Sequence, residues 1–179
     1  INPDFVKFNL DIGVVDFKID EEIHGDTGHK AVNGLFCNGR YKDGEAWKSD
    51  TTERTELLQN KIFINKTNNC TKVGEKNCTS LYGVKTAPVI KLQKECLAFS
   101  KDCAIVISGG SECWLHSQKT NHLPGNDIVD ISFRSTSFDK FVNQNFEKVG
   151  MSSLGPILQK KKGSTKLLKE DDHYHILNW

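Results

Sequence analysis

Residues Lys94–Ser117 read KECLAFSKDCAIVISGGSECWLHS and hold half of the six cysteines in the chain. Apolar residues at helical spacing predict a helix over about residues 87–100, which runs into this stretch and carries Cys96. AIVIS, which follows Cys103, predicts a β-branched strand. The glycine pair after it predicts a turn, and ECWLHS, which contains Cys113, predicts a returning strand. The stretch therefore predicts a helix followed by a hairpin, with a cysteine on each piece.

The rest of the chain contains both strand and helix patterns. Period-two alternation in FVKFNLDIGVVDFKID predicts strands near the N-terminus, and DIVDISF predicts another. TTERTELLQNKIFI is compatible with either a short helix or a strand. SFDKFVNQNFEKVG predicts a second helix over about residues 138–149, capped by Ser137 and ended by Gly150. The remaining tail is loop-like, with a last strand at His175–Trp179.

These patterns predict an α+β fold with a mostly antiparallel sheet, two helices and disulfide staples. We expect one compact domain over residues 1–179, with a β-rich part over 1–64 and a helix and tail over 135–179. Between them, residues 61–134 hold the helix–hairpin core.

The cysteines and the glycosylation motifs favour an oxidising compartment. The cysteine count is even, and three Asn-x-Thr motifs, which start at Asn65, Asn69 and Asn77, fall within 15 residues. No apolar run approaches the roughly 20 residues of a membrane span. The net charge of +1 lacks the dense basic face of a nucleic-acid-binding protein. The chain is therefore expected to be a secreted or cell-surface glycoprotein that binds no nucleic acid.

The helix–hairpin stretch resembles the core of PAN/apple domains, in which disulfides pin a helix to a short hairpin. The resemblance rests on Cys96, Cys103 and Cys113 with Trp114-Leu115 after the last, and it covers about residues 61–134. The chain departs from the family at Leu92, where another helix cysteine is usual.

The resemblance implies a bridge between Cys96 and Cys103. A cross-link at such a site stabilises a small domain by roughly 2–4 kcal/mol in the chain-entropy model. The other four cysteines leave three connectivities open. They are Cys37, Cys70, Cys78 and Cys113.

The same resemblance implies a binding module for a protein or carbohydrate partner, such as an adhesin or a receptor-binding or host-interaction module. Trp114 and His116 are its candidate contact residues. In this interpretation the chain has no catalytic residue, no metal and no cofactor. A structural subunit of a surface complex is a further alternative.

One short motif favours an enzyme instead. Arg54-Thr55-Glu56-Leu57 is similar to the R-T/S-E-L motif of jelly-roll alginate and glucuronan lyases, in which arginine binds uronate carboxylates. That resemblance implies a polysaccharide lyase in which His116 and Tyr174 serve as base and acid. The other motifs of the lyase family are absent as such, so a non-enzymatic role is favoured.

Two groups of histidines and carboxylates have the residue types of metal ligands. One is Glu22, His24, Asp26 and His29. The other is Asp171, Asp172, His173 and His175. The first lies in a turn-rich segment and the second near the end of the chain, so a solvated loop and a solvated tail are the favoured interpretations.

Overall fold

A computed structural model describes residues 5–10, 13–18, 30–65 and 68–179. Within these residues the chain forms three α-helices: α1 (Thr51–Gln59), α2 (Ala87–Phe99) and α3 (Thr136–Asn145). The strands are β1 (Phe5–Leu10), β2 (Gly13–Lys18), β3 (Leu35–Phe36), β4 (Tyr41–Lys42), β5 (Phe63–Ile64), β6 (Val106–Gly109), β7 (Asp130–Ser132), β8 (Phe146–Ser152), β9 (Gly155–Lys160), β10 (Lys166–Lys169) and β11 (His173–Asn178).

Seven strands form the main sheet, in the order β5-β6-β7-β11-β10-β9-β8. Strands β5 and β6 are parallel, and every other neighbouring pair in this sheet is antiparallel. Two separate hairpins pair β1 with β2 and β3 with β4. The structure is thus α+β with disulfides, and its sheets are mixed but mostly antiparallel.

Helix α2 follows the apolar pattern that predicted it. Pro88 occupies its first turn, and Val89, Leu92 and Cys96 are buried against the main sheet. The buried Gln93 side chain donates to the carbonyl of Cys103 and accepts from the amide of Ile105, at 2.9 and 2.8 Å. These bonds satisfy backbone groups beyond the sheet ladder, and they hold the helix to the segment that enters β6.

The second predicted helix ends earlier than its sequence pattern suggested. Ser135 caps α3 by accepting from the amide of Phe138, and the helix ends at Asn145 rather than residue 149. Residues Phe146–Ser152 form β8, which pairs with β9. The predicted cap at Ser137 and end at Gly150 are therefore both wrong, because Ser135 caps the helix and the residues after Asn145 pair with β9 instead.

The ambiguous stretch after Ser49 forms α1, one of the two possibilities that its sequence allowed, so the described residues contain three helices rather than the two expected. The last strand predicted at His175–Trp179 is present as β11, but the loop predicted before it is wrong, because that part of the tail forms β9 and β10 of the main sheet.

The predicted returning strand after β6 is also wrong. The chain instead makes a single 3-10 turn at Cys113–Leu115, and the antiparallel neighbour of β6 is β7. The side chain of Glu112 accepts from the backbone amides of Gly110 and Ser80, at 2.9 and 2.8 Å. Local bonds from side chain to backbone thus replace a sheet ladder after β6.

Each disulfide lies within one of two hydrophobic clusters. Cys96–Cys103 is present as expected and lies in the cluster beneath α2 and the main sheet. The others are Cys37–Cys113 and Cys70–Cys78, and they lie in a smaller cluster with Trp114. The Cys37–Cys113 bridge spans 76 residues, for which the chain-entropy model gives about 4–5 kcal/mol of stabilisation.

None of the helices in the described residues is long and apolar enough to cross a membrane.

Candidate metal centre

Four histidines surround one buried carboxylate, that of Asp130, at one face of the main sheet. Asp130 begins β7, and its register partner in β11 is His175, while His173 pairs with Ser132. Side chains two residues apart on a strand point to the same face, so both β11 histidines reach the same side as Asp130. His116 and His122 come from the segment that joins β6 to β7.

Each oxygen of the Asp130 carboxylate faces two imidazole nitrogens. Oδ1 lies 2.8 Å from His175 Nδ1 and 3.3 Å from His122 Nε2. Oδ2 lies 3.4 Å from His116 Nδ1 and 3.6 Å from His173 Nε2. The carboxylate is therefore the centre of the cluster.

Three of the four imidazoles are held from behind by an acceptor. His116 Nε2 lies 3.0 Å from Glu112 Oε1, and His122 Nδ1 lies 2.7 Å from the carbonyl oxygen of Gly110. His173 Nδ1 lies 2.8 Å from Asp172 Oδ1. Carbonyl and ionised carboxylate oxygens only accept, so the outer nitrogen of each ring donates. In the neutral imidazole the inner nitrogen then carries the lone pair, and in the charged imidazole it donates to Asp130.

Gly109, at the end of β6, leaves the space in which the His116 ring approaches Asp130. A Cβ at Gly109 would lie 2.7 Å from His116 Cε1 and 2.8 Å from Asp130 Oδ2. The rings of His116 and His122 stack with centroids 3.6 Å apart and planes 12° apart. Any side chain at position 109 would displace His116 or Asp130.

Burial and charge shift the pKa values of the cluster in different directions. Burial raises the pKa of Asp130, but the charges of His122 and His173 and two histidine hydrogen bonds outweigh it, so the pKa lies well below its usual value. Burial lowers the pKa of His122 and of His173, but the charge of Asp130 outweighs it and both pKa values are raised. Burial and the neighbouring charge of His122 lower the pKa of His116. The site thus favours an ionised Asp130 and a neutral His116.

Glu112 is the support behind His116. It is 2% exposed, and its oxygens accept the amides of Gly110 and Ser80 as well as the His116 ring. Burial raises the pKa of Glu112, but the hydrogen bond and charge of His116 outweigh it and the pKa is lowered. The ionised carboxylate thus fixes the orientation of the ring.

The cluster lines a cavity of about 330 Å³. The lining residues are Leu115, His116, Ser117, Thr120, His122, Asp130, Leu154, Glu170, Asp172, His173 and His175. Small molecules and chain ends can therefore reach the imidazoles from solvent.

The nitrogen and oxygen atoms are spaced as metal ligands are. One atom each from His116, His122 and Asp130 lie within 4.8 Å of one another. Ligand atoms about 2.0–2.1 Å from a tetrahedral zinc ion are about 3.3 Å apart, close to the separations between Asp130 and three of the histidines. The His175 contact, at 2.8 Å, is shorter and has the length of a hydrogen bond.

The sequence-based candidates are distributed over several places. Trp114 is 2% exposed, and its Nε1 donates to the carbonyl of Glu75, so its ring belongs to the smaller core. His116 does line the cavity. Because Trp114 is buried, His116 is the one of the two predicted contact residues that remains a candidate for partner binding.

The lyase candidates do not share a cavity with His116. Arg54 pairs with Asp50 through two nitrogens and donates to the carbonyl of Thr79, which is a structural role on α1. Glu56 accepts from the hydroxyl of Thr86. Tyr174 is buried in the main core, and burial and its bond to Asp139 raise its pKa far above the usual value.

The glycosylation candidates differ in exposure. Asn65 is 1% exposed, Asn69 is half-buried and Asn77 is exposed. The side chains of Asn69 and Asn77 are accessible to glycan attachment. Glycosylation at all three asparagines remains a prediction.

The two groups of possible ligands have different outcomes. Glu22, His24, Asp26 and His29 lie outside the described residues. The other group is not a solvated tail, because β11 is an interior strand of the main sheet and His173 and His175 are buried. Sequence reasoning missed Asp130 and His122 altogether. The signal was a histidine eight residues before an aspartate that begins a strand, followed later by a His-x-His strand.

No family model, no curated protein and no solved structure matches the chain. The resemblance to PAN/apple domains therefore remains a prediction, and the function has to be argued from the site.

Proposed function

We propose that the chain is a hydrolase that depends on a divalent metal ion, for which zinc is the favoured ion. The observation that carries the proposal is the orientation of the imidazoles. Acceptors hold the outer nitrogens of His116, His122 and His173, so the inner nitrogens face Asp130. Protonating every ring around one buried carboxylate would leave an excess of positive charge, whereas a cation uses the inner lone pairs directly.

The donor types decide between ions. Imidazole nitrogens with one carboxylate suit zinc and its transition-metal neighbours, whereas calcium and magnesium prefer oxygen ligands. Cysteine thiolates play no part, because all six cysteines form disulfides. The fit to zinc is thus one of chemistry as well as spacing.

His116, His122 and Asp130 form a three-ligand set of the kind that catalytic zinc sites use, because their ligand atoms lie within 4.8 Å of one another. Zinc held there would lower the pKa of a bound water and polarise a carbonyl oxygen. His173, oriented by Asp172, lines the same cavity and can accept or donate a proton there.

A secreted or extracellular location belongs to the same proposal. Three disulfides are compatible with an oxidising compartment, and glycans at Asn69 and Asn77 would be attached there. A zinc-dependent hydrolase would need no cofactor from the cytosol and would therefore be able to act on a substrate outside the cell.

Binding of a protein or carbohydrate partner is the second candidate function. It is favoured by apolar side chains on the β8–β9 hairpin, where Val149, Met151 and Leu154 are 49%, 67% and 60% exposed. Leu154 also lines the cavity. A partner or a polymeric substrate could therefore contact this hairpin while its reactive group enters the cavity.

Metal binding and hydrolysis can be tested on the intact, oxidised chain. Chelator-treated protein is titrated with Zn²⁺ by calorimetry, and hydrolysis of amide, ester and glycosidic test substrates is then measured with and without Zn²⁺. We expect tight binding that Asp130→Asn weakens at least 100-fold, and Zn²⁺-dependent turnover of one substrate class. Asp171→Asn is the matched control, because Asp171 is exposed beside the cluster. Equal zinc affinity in wild type and Asp130→Asn would overturn the site.

A further inference from the structure

We propose that a second cavity, lined by lysines, binds an acidic oligosaccharide, that is, a chain of sugar rings that carry carboxylate or sulfate groups. The cavity lies between helix α2 and the β9–β10 connection and has a volume of about 520 Å³. That volume is within the range of small-molecule sites, roughly 300–1,000 Å³. The site is separate from the metal cavity, so the inference stands independently of the proposed hydrolase.

The two cavities lie at opposite ends of β10. Thr165, directly before β10, lines the lysine-lined cavity, and Glu170, directly after β10, lines the metal cavity. A strand rises roughly 3.3 Å per residue, so four residues of β10 separate the two sites by about 13 Å. The residues described as lining one cavity are all different from those that line the other.

One wall of the lysine-lined cavity is a single stripe of α2. Pro88, Lys91 and Glu95 are three or four residues apart, so they lie along the same side of the helix. The opposite wall is the connection over residues 162–165. The buried side chain of Leu92 closes the cavity towards the core. The cavity is thus held between a helix and the main sheet.

The charge of the lining favours an anion. Three lysines and one glutamate line the cavity, so its formal charge is +2. Lys160 pairs with Glu95, which neutralises one ammonium group. Lys91 and Lys162 are exposed, and neither forms an ion pair or a hydrogen bond within the part of the chain that the structure describes. Two ammonium groups are therefore free to bind carboxylate or sulfate oxygens.

The start of α2 adds to this positive charge. Ala87, the first residue of the helix, lines the cavity. Thr86, which precedes it, makes no side-chain cap, because its hydroxyl donates to Glu56 at 2.8 Å instead. The partial positive charge of the helix N-terminus is thus not offset by a side-chain oxygen of Thr86.

An aromatic ring and hydroxyl groups favour a sugar as the carrier of the anion. Trp179 lines the cavity together with Ser164 and Thr165. The Trp179 side chain is half-buried, and its Nε1 donates to the carbonyl of Asp127 at 2.7 Å, so the ring is fixed in place. The C–H faces of sugar rings pack against aromatic rings, and sugar hydroxyls bond to side-chain hydroxyls. A bare inorganic anion would use only the lysines.

Calorimetric titration of the full chain, with intact disulfides and treated with chelator, tests the site. The probes are a tetramer of uronic acid, a neutral glucose tetramer of the same length, and adenosine monophosphate. We expect the uronate tetramer to bind and to lose affinity as the salt concentration rises, because salt screens the lysine charges. The neutral tetramer should not bind. Tighter binding of adenosine monophosphate than of the uronate tetramer would overturn the assignment to a sugar.

Matched lysine variants separate a site from long-range attraction. The double variant Lys91→Gln, Lys162→Gln should bind the uronate tetramer at least 10-fold more weakly. The control is Lys94→Gln, Lys148→Gln, which has the same net charge, because both of its lysines are exposed and lie outside the cavity lining. It should bind as the wild type does. Equal weakening in both double variants would overturn the site.

Tryptophan fluorescence gives a local readout of the same titration. The uronate tetramer should change the emission of the wild type, and Trp179→Phe should lose that change, because Trp47 and Trp114 lie in the smaller cluster. An emission change that persists in Trp179→Phe would place the ligand elsewhere and overturn the proposal. The lysine variants should keep the Zn²⁺ affinity of the wild type, so failure of the sugar site leaves the proposed function standing.

Discussion

His175 and Asp130 are register partners in β11 and β7, and His175 Nδ1 lies 2.8 Å from Asp130 Oδ1. They are 45 residues apart in sequence, so the sheet itself brings together the centre of the cluster and one of its nitrogens. A site built on neighbouring strands is positioned more rigidly than one built on loops. The positions of the other three imidazoles depend on their close approach to Asp130 and on the acceptors behind their rings, and mutation can change both.

The first prediction concerns the space at the end of β6. Gly109→Ala should weaken zinc binding at least 10-fold, because its Cβ would lie 2.7 Å from His116 and 2.8 Å from Asp130 Oδ2. Calorimetric titration with Zn²⁺ measures the effect. Gly150→Ala is the matched control, because the nearest atom to its added Cβ is 3.7 Å away. Unchanged affinity in Gly109→Ala would show that His116 and Asp130 need not approach each other for binding.

The second prediction concerns the support behind His116. Glu112→Gln should lower metal affinity about 10–100-fold, because the neutral amide orients the ring less strongly than the carboxylate does. It should also destabilise the fold by about 1–3 kcal/mol, because the amides of Gly110 and Ser80 share two acceptor oxygens with the ring. Denaturant unfolding of the metal-free protein separates the two effects. If stability falls while affinity stays constant, Glu112 is a purely structural residue.

Helix α2 was accessible from sequence because its signals are local, and the Cys96–Cys103 bridge was implied by the resemblance. The face formed by Val89, Leu92 and Cys96 predicted α2 within one residue of each end. The end of α3 was not accessible, because helix and strand compete at Phe146 and pairing with β9 decides the outcome. The returning strand failed for a related reason, since a single side chain, that of Glu112, redirects the backbone after β6.

The site was harder to predict because its members are distant in sequence. His116 was singled out, but as a partner-contact residue or the base of a lyase, and His173 and His175 were assigned to a tail. Their convergence on Asp130 depends on the place of β11 between β7 and β10, a long-range pairing that spacing alone does not encode. The even cysteine count predicted bridges, but the two remaining pairings also required the fold.

The third prediction concerns the pH dependence of stability without metal. Burial lowers the pKa of His122 and of His173, but the charge of Asp130 raises both pKa values above the usual 6.5, so the stability that these charged rings contribute is complete below pH 6.5 and is lost as the pH rises through the raised values. His116 has a lowered pKa and opposes this trend. The metal-free chain should therefore lose stability as the pH rises above about 6.5. Asp130→Asn should flatten this loss, measured by denaturant unfolding across the pH range.

Zinc should reverse that dependence, because it binds only deprotonated imidazoles. The stabilisation by a fixed excess of Zn²⁺ should grow from pH 6 to pH 8. Thermal unfolding with and without Zn²⁺ at each pH measures it. A zinc effect that is constant with pH would contradict histidine ligation.

The last prediction compares two disulfides in different clusters. Cys113 follows Glu112 directly, so the Cys37–Cys113 bridge fixes the start of the segment that carries His116 and His122. Replacing both cysteines with alanine should destabilise the fold by about 2–5 kcal/mol and weaken zinc binding at least 10-fold. The matched control replaces Cys96 and Cys103, whose bridge lies beneath α2 in the larger cluster. That variant should also lose stability but keep its zinc affinity at temperatures where it remains folded. Equal loss of affinity in both double variants would mean that the bridges act only through global stability, and that the segment after β6 is positioned by Glu112 alone.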